Sequence, residues 1–506
     1  MKKILINDSP WQTRVAITRD DELQNIYFWS HTTENLERSF YKGVITKILP
    51  GIQTAFVDIG QERAGFLHIS EIDRELAIHR MANTGQLEDL EDEDHPKPEP
   101  TRQHLDISKI LKEGENILVQ VSKEPVNEKG AKLSTCFTLP GRFLVLMPNI
   151  PRIGISKKIE SRDERQRLKD LLTEHLPEGM GAIIRTTSEG QGSREILQDL
   201  TYLLSTWEVI TKKFKEATPR EKIYEDIDLA LQAIRDHLDN DVDLVICDSQ
   251  DTQTRIYKFV KTIAPEHAQK VRYYEGPPSL FEKFNIESQI EQALQKKVTL
   301  RSGGSIVIET TEAMTVIDVN TGRYIGQNSL EDTILKINLE AAEEITRQLR
   351  LRNIGGLIVI DFIDMTSSNN RQKLYKVFEK NLKERDKFQS VVLKVSEFGL
   401  VQMTRKRSGK TLIQQLTDNC PTCRGMGFIK SLPNESFSVL RKLKHELETK
   451  NTTGNITLAV HPTIFNYITN AEYNSILYLE KNYRCKITLV SRDYCTPGTY
   501  KLEQPW

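Results

Sequence analysis

Residues 305–320 read SIVIETTEAMTVIDVN, and residues 339–365 read LEAAEEITRQLRLRNIGGLIVIDFIDM. In TVIDVN, polar and apolar side chains alternate, so a strand sets Asp318 and Asn320 on one face and Ile317 and Val319 on the other. In LIVIDFIDM, Asp361 follows four apolar residues, as at the point where a buried strand emerges. Between them, NLEAAEEITRQLRLR has the spacing of an amphipathic helix that returns the chain to the same sheet, so the two strand ends can be neighbours. Two carboxylates meeting at a sheet edge suit Mg²⁺, which takes one or two carboxylates and leaves room for water and phosphate oxygens. Such an ion activates water and stabilises charge on an attacked phosphate. The plainer alternative is that each aspartate ends a strand and caps a turn.

Composition narrows the surroundings of this motif. The chain has 506 residues, 38% apolar and 28% charged, enough for several domains with real cores. No stretch approaches the ~18 uninterrupted apolar residues of a membrane span. The start, MKKILINDSPWQTRVAITRDDE, has neither a signal peptide's apolar core nor the Arg/Ser-rich look of a transit peptide. A net charge of −1 gives no overall basic balance, so any nucleic-acid contact must come from local patches. Of six cysteines, only Cys420 and Cys423 are close in sequence; Cys485 and Cys495 are poorly spaced to join them.

Two further constellations stand out. From Phe40, strand-like runs in FYKGVITKIL, TAFVDIG, AGFLHIS, NILVQVSK and KLSTCF are separated by turn residues, a pattern that suits a five-stranded OB-type barrel. It is interrupted by the acidic tract EDLEDEDHPKPEP, from Glu88, which reads as a solvated loop. Phe56 and Phe66 fall on neighbouring strands and could stack bases, with Lys123 and Lys129 adding phosphate contacts; taken alone, two such rings in strands are more often core residues than a ligand platform. The second constellation is CPTCRGMG, in which Cys420 and Cys423 form half of a Cys₄ zinc site on a glycine-rich knuckle. A redox dithiol or two buried thiols are the other readings.

The stretches SIVIETTEAMTVIDVN and LEAAEEITRQLRLRNIGGLIVIDFIDM resemble the catalytic segment of the ribonuclease E/G family, densely from about residue 285 to 430 and more loosely before it. The resemblance implies an endoribonuclease cutting single-stranded, A/U-rich RNA in RNA processing and decay, with stimulation by a 5′-monophosphate. It implies magnesium held by Asp318 and Asp361, with Asn320 in support and Asp364 as a neighbour. It implies RNA held by Phe56, Phe66 and Lys129 on an S1 motif barrel. A 5′-phosphate site would use Arg185 and Thr186, with backbone help from Gly141 and Val145. Zinc would be shared by Cys420 and Cys423 of two protomers, giving a homodimer or dimer of dimers. The implied fold is a multidomain α+β assembly. An RNase H-like subdomain is split between 1–39 and 231–293, around an S1 barrel at 40–138 and a 5′-sensor region at 139–230. A DNase I-like catalytic domain at 294–415, a zinc knuckle at 416–430 and a small C-terminal domain at 431–506 follow. The family's bacterial members often carry a long scaffold tail, and the expectation here is the catalytic half without it. Bacterial cytoplasm or plastid stroma is the expected compartment, the Asn/Ile/Lys-rich end hinting at an AT-rich genome. Two rival classes stay open: a non-catalytic RNA-binding scaffold using the barrel, and a DNA nuclease or other metal-dependent phosphoesterase.

Overall fold

The computed structural model describes residues 1–32, 36–73, 106–125, 130–322, 330–407, 409–423, 425–450, 454–494 and 499–503. The acidic tract at 88–100, Lys129 and Cys495 lie outside the described residues. The chain divides into two compact units, Met1–Ile413 and Gln414–Trp506.

In the first unit, strands Lys2–Ser9, Gln12–Arg19 and Glu22–Ser30 form an antiparallel meander. Lys2–Ser9 also runs parallel to Val242–Cys247, which pairs in turn with Val271–Tyr273. Chain segments more than 200 residues apart thus share one sheet. Its core gathers Ile4, Ile6 and Val15 against Val245, Ile256 and Val260.

Strands Phe40–Leu49, Thr54–Asp58, Gly65–His68, Lys132–Ser134 and Asn116–Lys123 follow one another around a closed barrel, Phe40–Leu49 pairing with Asn116–Lys123 to shut it. These are the five runs the sequence marks. Period-two alternation turns Ile45, Ala55, Val57, Leu67, Val119, Val121 and Leu133 inward. Gly43 is required at this closure, because a Cβ there would lie 2.4 Å from the Val57 side chain.

A four-stranded sheet follows, in the order Ile153–Ile155, Gly181–Ile184, Leu144–Met147, Leu139–Pro140. Helices Arg162–His175 and Ser193–Glu216 supply its core residues Leu168, Leu172, Ile196, Leu200 and Leu203. The Asp199 carboxylate accepts the backbone N–H groups of Arg142, Phe143 and Leu144 at 3.1, 2.8 and 3.0 Å, fixing the turn before Leu144–Met147.

The sheet that carries the opening motif runs Lys297–Thr299, Ser305–Thr310, Met314–Asn320, Gly356–Asp361, Leu400–Arg405, Ser390–Val392. Met314–Asn320 and Gly356–Asp361 are parallel, the crossover being helix Leu330–Leu351. That helix and helix Ser368–Arg385 belong to one core with the sheet: Ile317, Val319, Ile358 and Ile360 meet Ile337, Ala341, Ile345, Leu374 and Phe378. At the far end of the second helix, Asp386 receives Arg405 through two hydrogen bonds of 2.6 and 3.0 Å, with both side chains 1% exposed.

The second unit has a three-stranded sheet, Cys485–Ser491, Gly454–Val460 and Tyr500–Glu503, with helices Leu432–Lys450, Pro462–Ala471 and Tyr473–Tyr483. Its core contains Val439, Leu443, Leu458, Ile464 and Cys485.

Removing one partner of a buried ion pair strands the other charge in a poor solvent. Asp386→Ala is therefore expected to destabilise the first unit by about 3–5 kcal/mol, read as a lower urea midpoint. A loss below about 1 kcal/mol would mean that Arg405 finds another partner or water.

Candidate active site

The burial of Met314–Asn320 alternates strictly: Thr315, Ile317 and Val319 are buried, while Asp318 and Asn320 are exposed. Asp361, the last residue of its strand, is exposed as well and stands directly opposite Asp318 in the parallel register. Adjacent strands lie about 4.8 Å apart, so the two carboxylates share one small surface. The Asn320 side-chain amide donates to Asp318 Oδ2 at 2.7 Å and fixes its orientation. Partial burial, then the negative charges of Asp318 and Asp364, raise the Asp361 carboxyl above its ordinary value. A cation between these groups removes that repulsion. The donor set is all oxygen, which is the preference of a small hard ion such as Mg²⁺. Among the described residues no three or more His, Cys, Asp or Glu side chains gather as a metal-holding group, and a two-carboxylate site fits an ion that keeps several waters.

Two supports of this site escape sequence reading. Asn338, fully buried on the crossover helix, donates to the Ile363 carbonyl at 2.8 Å and accepts the Ile363 N–H at 3.1 Å. It thereby pins the backbone between Asp361 and Asp364. Glu331, on the first turn of the same helix, accepts the Thr366 hydroxyl at 2.6 Å and the Ser367 N–H at 2.8 Å. Those hydrogen bonds hold its carboxyl below the usual range.

On the barrel, Phe56 and Phe66 are direct cross-strand partners. Their neighbours Ala55, Val57, Gly65 and Leu67 are buried while the two rings are half-buried, so both lie on the outer face. Lys132 pairs in register with Phe66 and with Lys123, and its ammonium is ion-paired with Glu71. Sequence reading passed over Lys132; its position across from Phe66 appears only with the register.

Arg185 donates through Nη1 to Asp236 Oδ1 at 2.8 Å and to the Gly141 carbonyl at 2.5 Å. Burial works against a charged Asp236, but Arg235, Arg185 and Lys387 outweigh it and hold its carboxyl well below the usual range. The exposed Thr186 lies 3.2 Å, oxygen to oxygen, from Ser156. Gly141 joins the cluster through its carbonyl, since its N–H donates to Leu144 O at 2.7 Å. Val145 lies on the neighbouring strand opposite Ile183. This region is tied to the carboxylate-bearing domain by lysines: Lys387 donates to the Asp236 carbonyl at 2.7 Å, and Lys158 to the Asp386 carbonyl.

In the second unit, Cys420 is exposed and Cys423 half-buried, on a turn where Gly425 and Gly427 take positive φ angles of 88° and 79°. Hydrogen bonds from the Cys423 and Thr422 backbone lower the Cys420 thiol below its ordinary value, favouring the thiolate a metal needs. Cys485 is packed in the core of its own unit.

The chain is similar to known proteins over most of its length. The family model "Ribonuclease E/G family" matches residues 138–408, "S1 RNA binding domain" matches 39–135, and "RNase E/G, Thioredoxin-like domain" matches 419–505. Ribonuclease G of Escherichia coli K12 is 38% identical over 441 residues, 87% of either chain. Ribonuclease G of Haemophilus influenzae is 35% identical over 475 residues, covering 94% of this chain and 93% of its own. Ribonuclease E of E. coli K12 is 37% identical over 487 residues, 95% of this chain but 44% of that longer protein. With its family model spanning more than half its length and relatives aligned almost end to end, the chain belongs to the ribonuclease E/G family of endoribonucleases.

Proposed function

We propose that the chain is a Mg²⁺-dependent endoribonuclease that cuts single-stranded, A/U-rich RNA in RNA processing and decay, stimulated by a 5′-monophosphate. The observation that carries this reading is the in-register pair of Asp318 and Asp361 on an exposed sheet face. In it, Asp318 and Asp361 hold the ion and Asn320 keeps Asp318 oriented. Mg²⁺ bound there supplies Lewis-acid polarisation of a phosphate oxygen and eases ionisation of the attacking water. In-line attack at phosphorus breaks the bond to the 3′-oxygen and leaves a 3′-hydroxyl and a 5′-phosphate. The paired rings of Phe56 and Phe66 stack unpaired bases, which favours single strands because a duplex hides those faces. Lys123 and Lys129 meet the backbone phosphates.

Arg185 and Thr186 bind the RNA 5′-monophosphate in this reading. Among the described residues the guanidinium bonds Asp236 and Gly141 through Nη1, and in this reading the rest of its fork meets phosphate oxygens. The Gly141 amide is engaged with the Leu144 carbonyl and Val145 is paired with Ile183 in the sheet, so the Arg185 and Thr186 side chains carry the site in this reading. We assign zinc to Cys420 and Cys423 together with the same pair of a second protomer, since two thiolates fill half of a tetrahedral site. The domain boundaries proposed are those given from the sequence, from the split RNase H-like subdomain through the DNase I-like domain. Among the described residues no helix is long and apolar enough to cross a membrane, and bacterial cytoplasm or plastid stroma is the assigned compartment.

With Mg²⁺ present, unpaired RNA should be cut in preference to duplex RNA or single-stranded DNA. Asp318→Asn and Asp361→Asn should each depress that cleavage by several orders of magnitude and leave RNA binding intact, and the losses should not add because both act on one ion. A near-native rate in either variant removes the catalytic assignment. Arg185→Ala should abolish the preference for 5′-monophosphorylated over 5′-hydroxyl RNA, a ~10- to 100-fold effect, with the hydroxylated substrate still cleaved; equal loss on both means a structural arginine. Elemental analysis should find about one zinc per two protomers. Changing both cysteines to Ser should shrink the oligomer, whereas an unchanged assembly would count against shared zinc.

A further inference from the structure

Phe398 is 77% exposed, the highest value among the large apolar side chains described. It stands on the turn Ser396-Glu397-Phe398-Gly399, where polar residues and glycine are the ordinary choice and a phenyl ring satisfies no turn geometry. The turn is rigid. Ser396 N–H donates to the Leu400 carbonyl at 2.9 Å, Gly399 N–H to the Ser396 carbonyl at 3.2 Å, and Leu400 N–H to the Ser396 hydroxyl at 3.1 Å.

The turn is also pressed against the carboxylates. Leu400 is the register partner of Asp361, and Phe362 N–H donates to the Gly399 carbonyl at 3.4 Å. Gly399 takes φ +74°, and a Cβ there would meet the Phe362 carbonyl oxygen at 2.5 Å and Asp364 Oδ1 at 3.1 Å. Only glycine lets the turn approach so closely, and the consequence is that Phe398 stands on a turn packed against the strand end that carries Asp361. Two residues of chain plus one strand spacing put its Cα within about 12 Å of that of Asp361. The exposed Lys394 lies on the same loop.

We propose that Phe398 is a base-stacking residue of the cleavage centre, taking the face of a nucleobase beside the scissile phosphate and so fixing the strand across Asp318 and Asp361. The inference rests on those aspartates being the cleavage centre. Stacking on a fixed ring is tolerant of base identity and demands an unpaired base, so this residue adds single-strand selectivity at the bond that breaks, separately from capture by the barrel.

The test uses the full-length protein and a short RNA with one cleavage site, in Mg²⁺, together with copies of that RNA carrying one abasic nucleotide at successive positions. Phe398→Ala is expected to lower kcat/KM on the intact RNA by on the order of tenfold. That penalty should vanish when the abasic nucleotide occupies one position beside the cleavage site and persist at the others. Phe398→Tyr should restore the rate and Phe398→Leu should not, which separates stacking from apolar bulk. A near-native rate for Phe398→Ala overturns the proposal, as does a penalty that is the same at every abasic position. If the uniform penalty accompanies a smaller oligomer in light scattering, the ring belongs to an interface between copies. If Phe398→Ala fails to fold, the Tyr and Leu variants carry the same comparison. Asp361→Asn is assayed in parallel: native cleavage by that variant defeats the underlying reading of the aspartates, whatever Phe398 does.

Discussion

Everything at the carboxylate site follows from the pairing of Met314–Asn320 with Gly356–Asp361 in parallel register. A shift of one residue in either strand would turn one aspartate into the core and break the pair. The buried face prevents that slip, because Ile317, Val319, Ile358 and Ile360 must all meet the two helices. The hydrophobic core therefore sets the register, and the register forces two like charges together. Partial burial first, and then the charges of Asp318 and Asp364, raise the Asp361 carboxyl above its ordinary value. An ion-binding site is here a by-product of apolar packing on the other side of the same sheet.

The crossover helix does more than return the chain. Asn338 and Glu331 reach from it to the loop after Asp361 and supply hydrogen bonds that an irregular segment cannot make for itself. Asp386 and Arg405 perform a similar service at the opposite end of the sheet. Between these anchors, helix Ser368–Arg385 begins just past Asp364 and ends where Lys158, from the domain that carries Arg185, donates to the Asp386 carbonyl and Lys387 donates to the Asp236 carbonyl. The segment that follows Asp361 and the Arg185 cluster are thus joined through one helix and two lysine-to-carbonyl hydrogen bonds.

What could be read beforehand was whatever alternation encodes. Asp318 and Asn320 declare their face because every second residue around them is apolar, and the five barrel runs are legible for the same reason. The placing of Phe56 and Phe66 on neighbouring strands holds, though their direct opposition needs the register. Helix Ser368–Arg385 is hard to see: it buries Leu374, Phe378 and Leu382 among 18 mostly polar residues. Asn338 left no trace because a polar residue in an apolar stripe looks like an interruption until its backbone partner is known. The Gly141 amide was expected to be available to a ligand and is engaged within its own turn. Period carries burial; it carries nothing about which distant backbone a side chain will meet.

The first sheet has a consequence for how the protein is made. Lys2–Ser9 finds its parallel partner only at Val242–Cys247. A ribosome adding about 5–20 residues per second needs roughly 10–50 s to bridge that interval. For that time the amino-terminal meander presents an open edge, a template for unwanted pairing. The barrel and the sheet built around Leu144–Met147 lie wholly inside the gap and can close during it. Both ends of the split sheet are thus separated by parts that complete themselves first, and the last parallel pairing is brought within reach by structure already formed. Synthesis order and topology together make strand Lys2–Ser9, made long before its parallel partner, among the last to be satisfied.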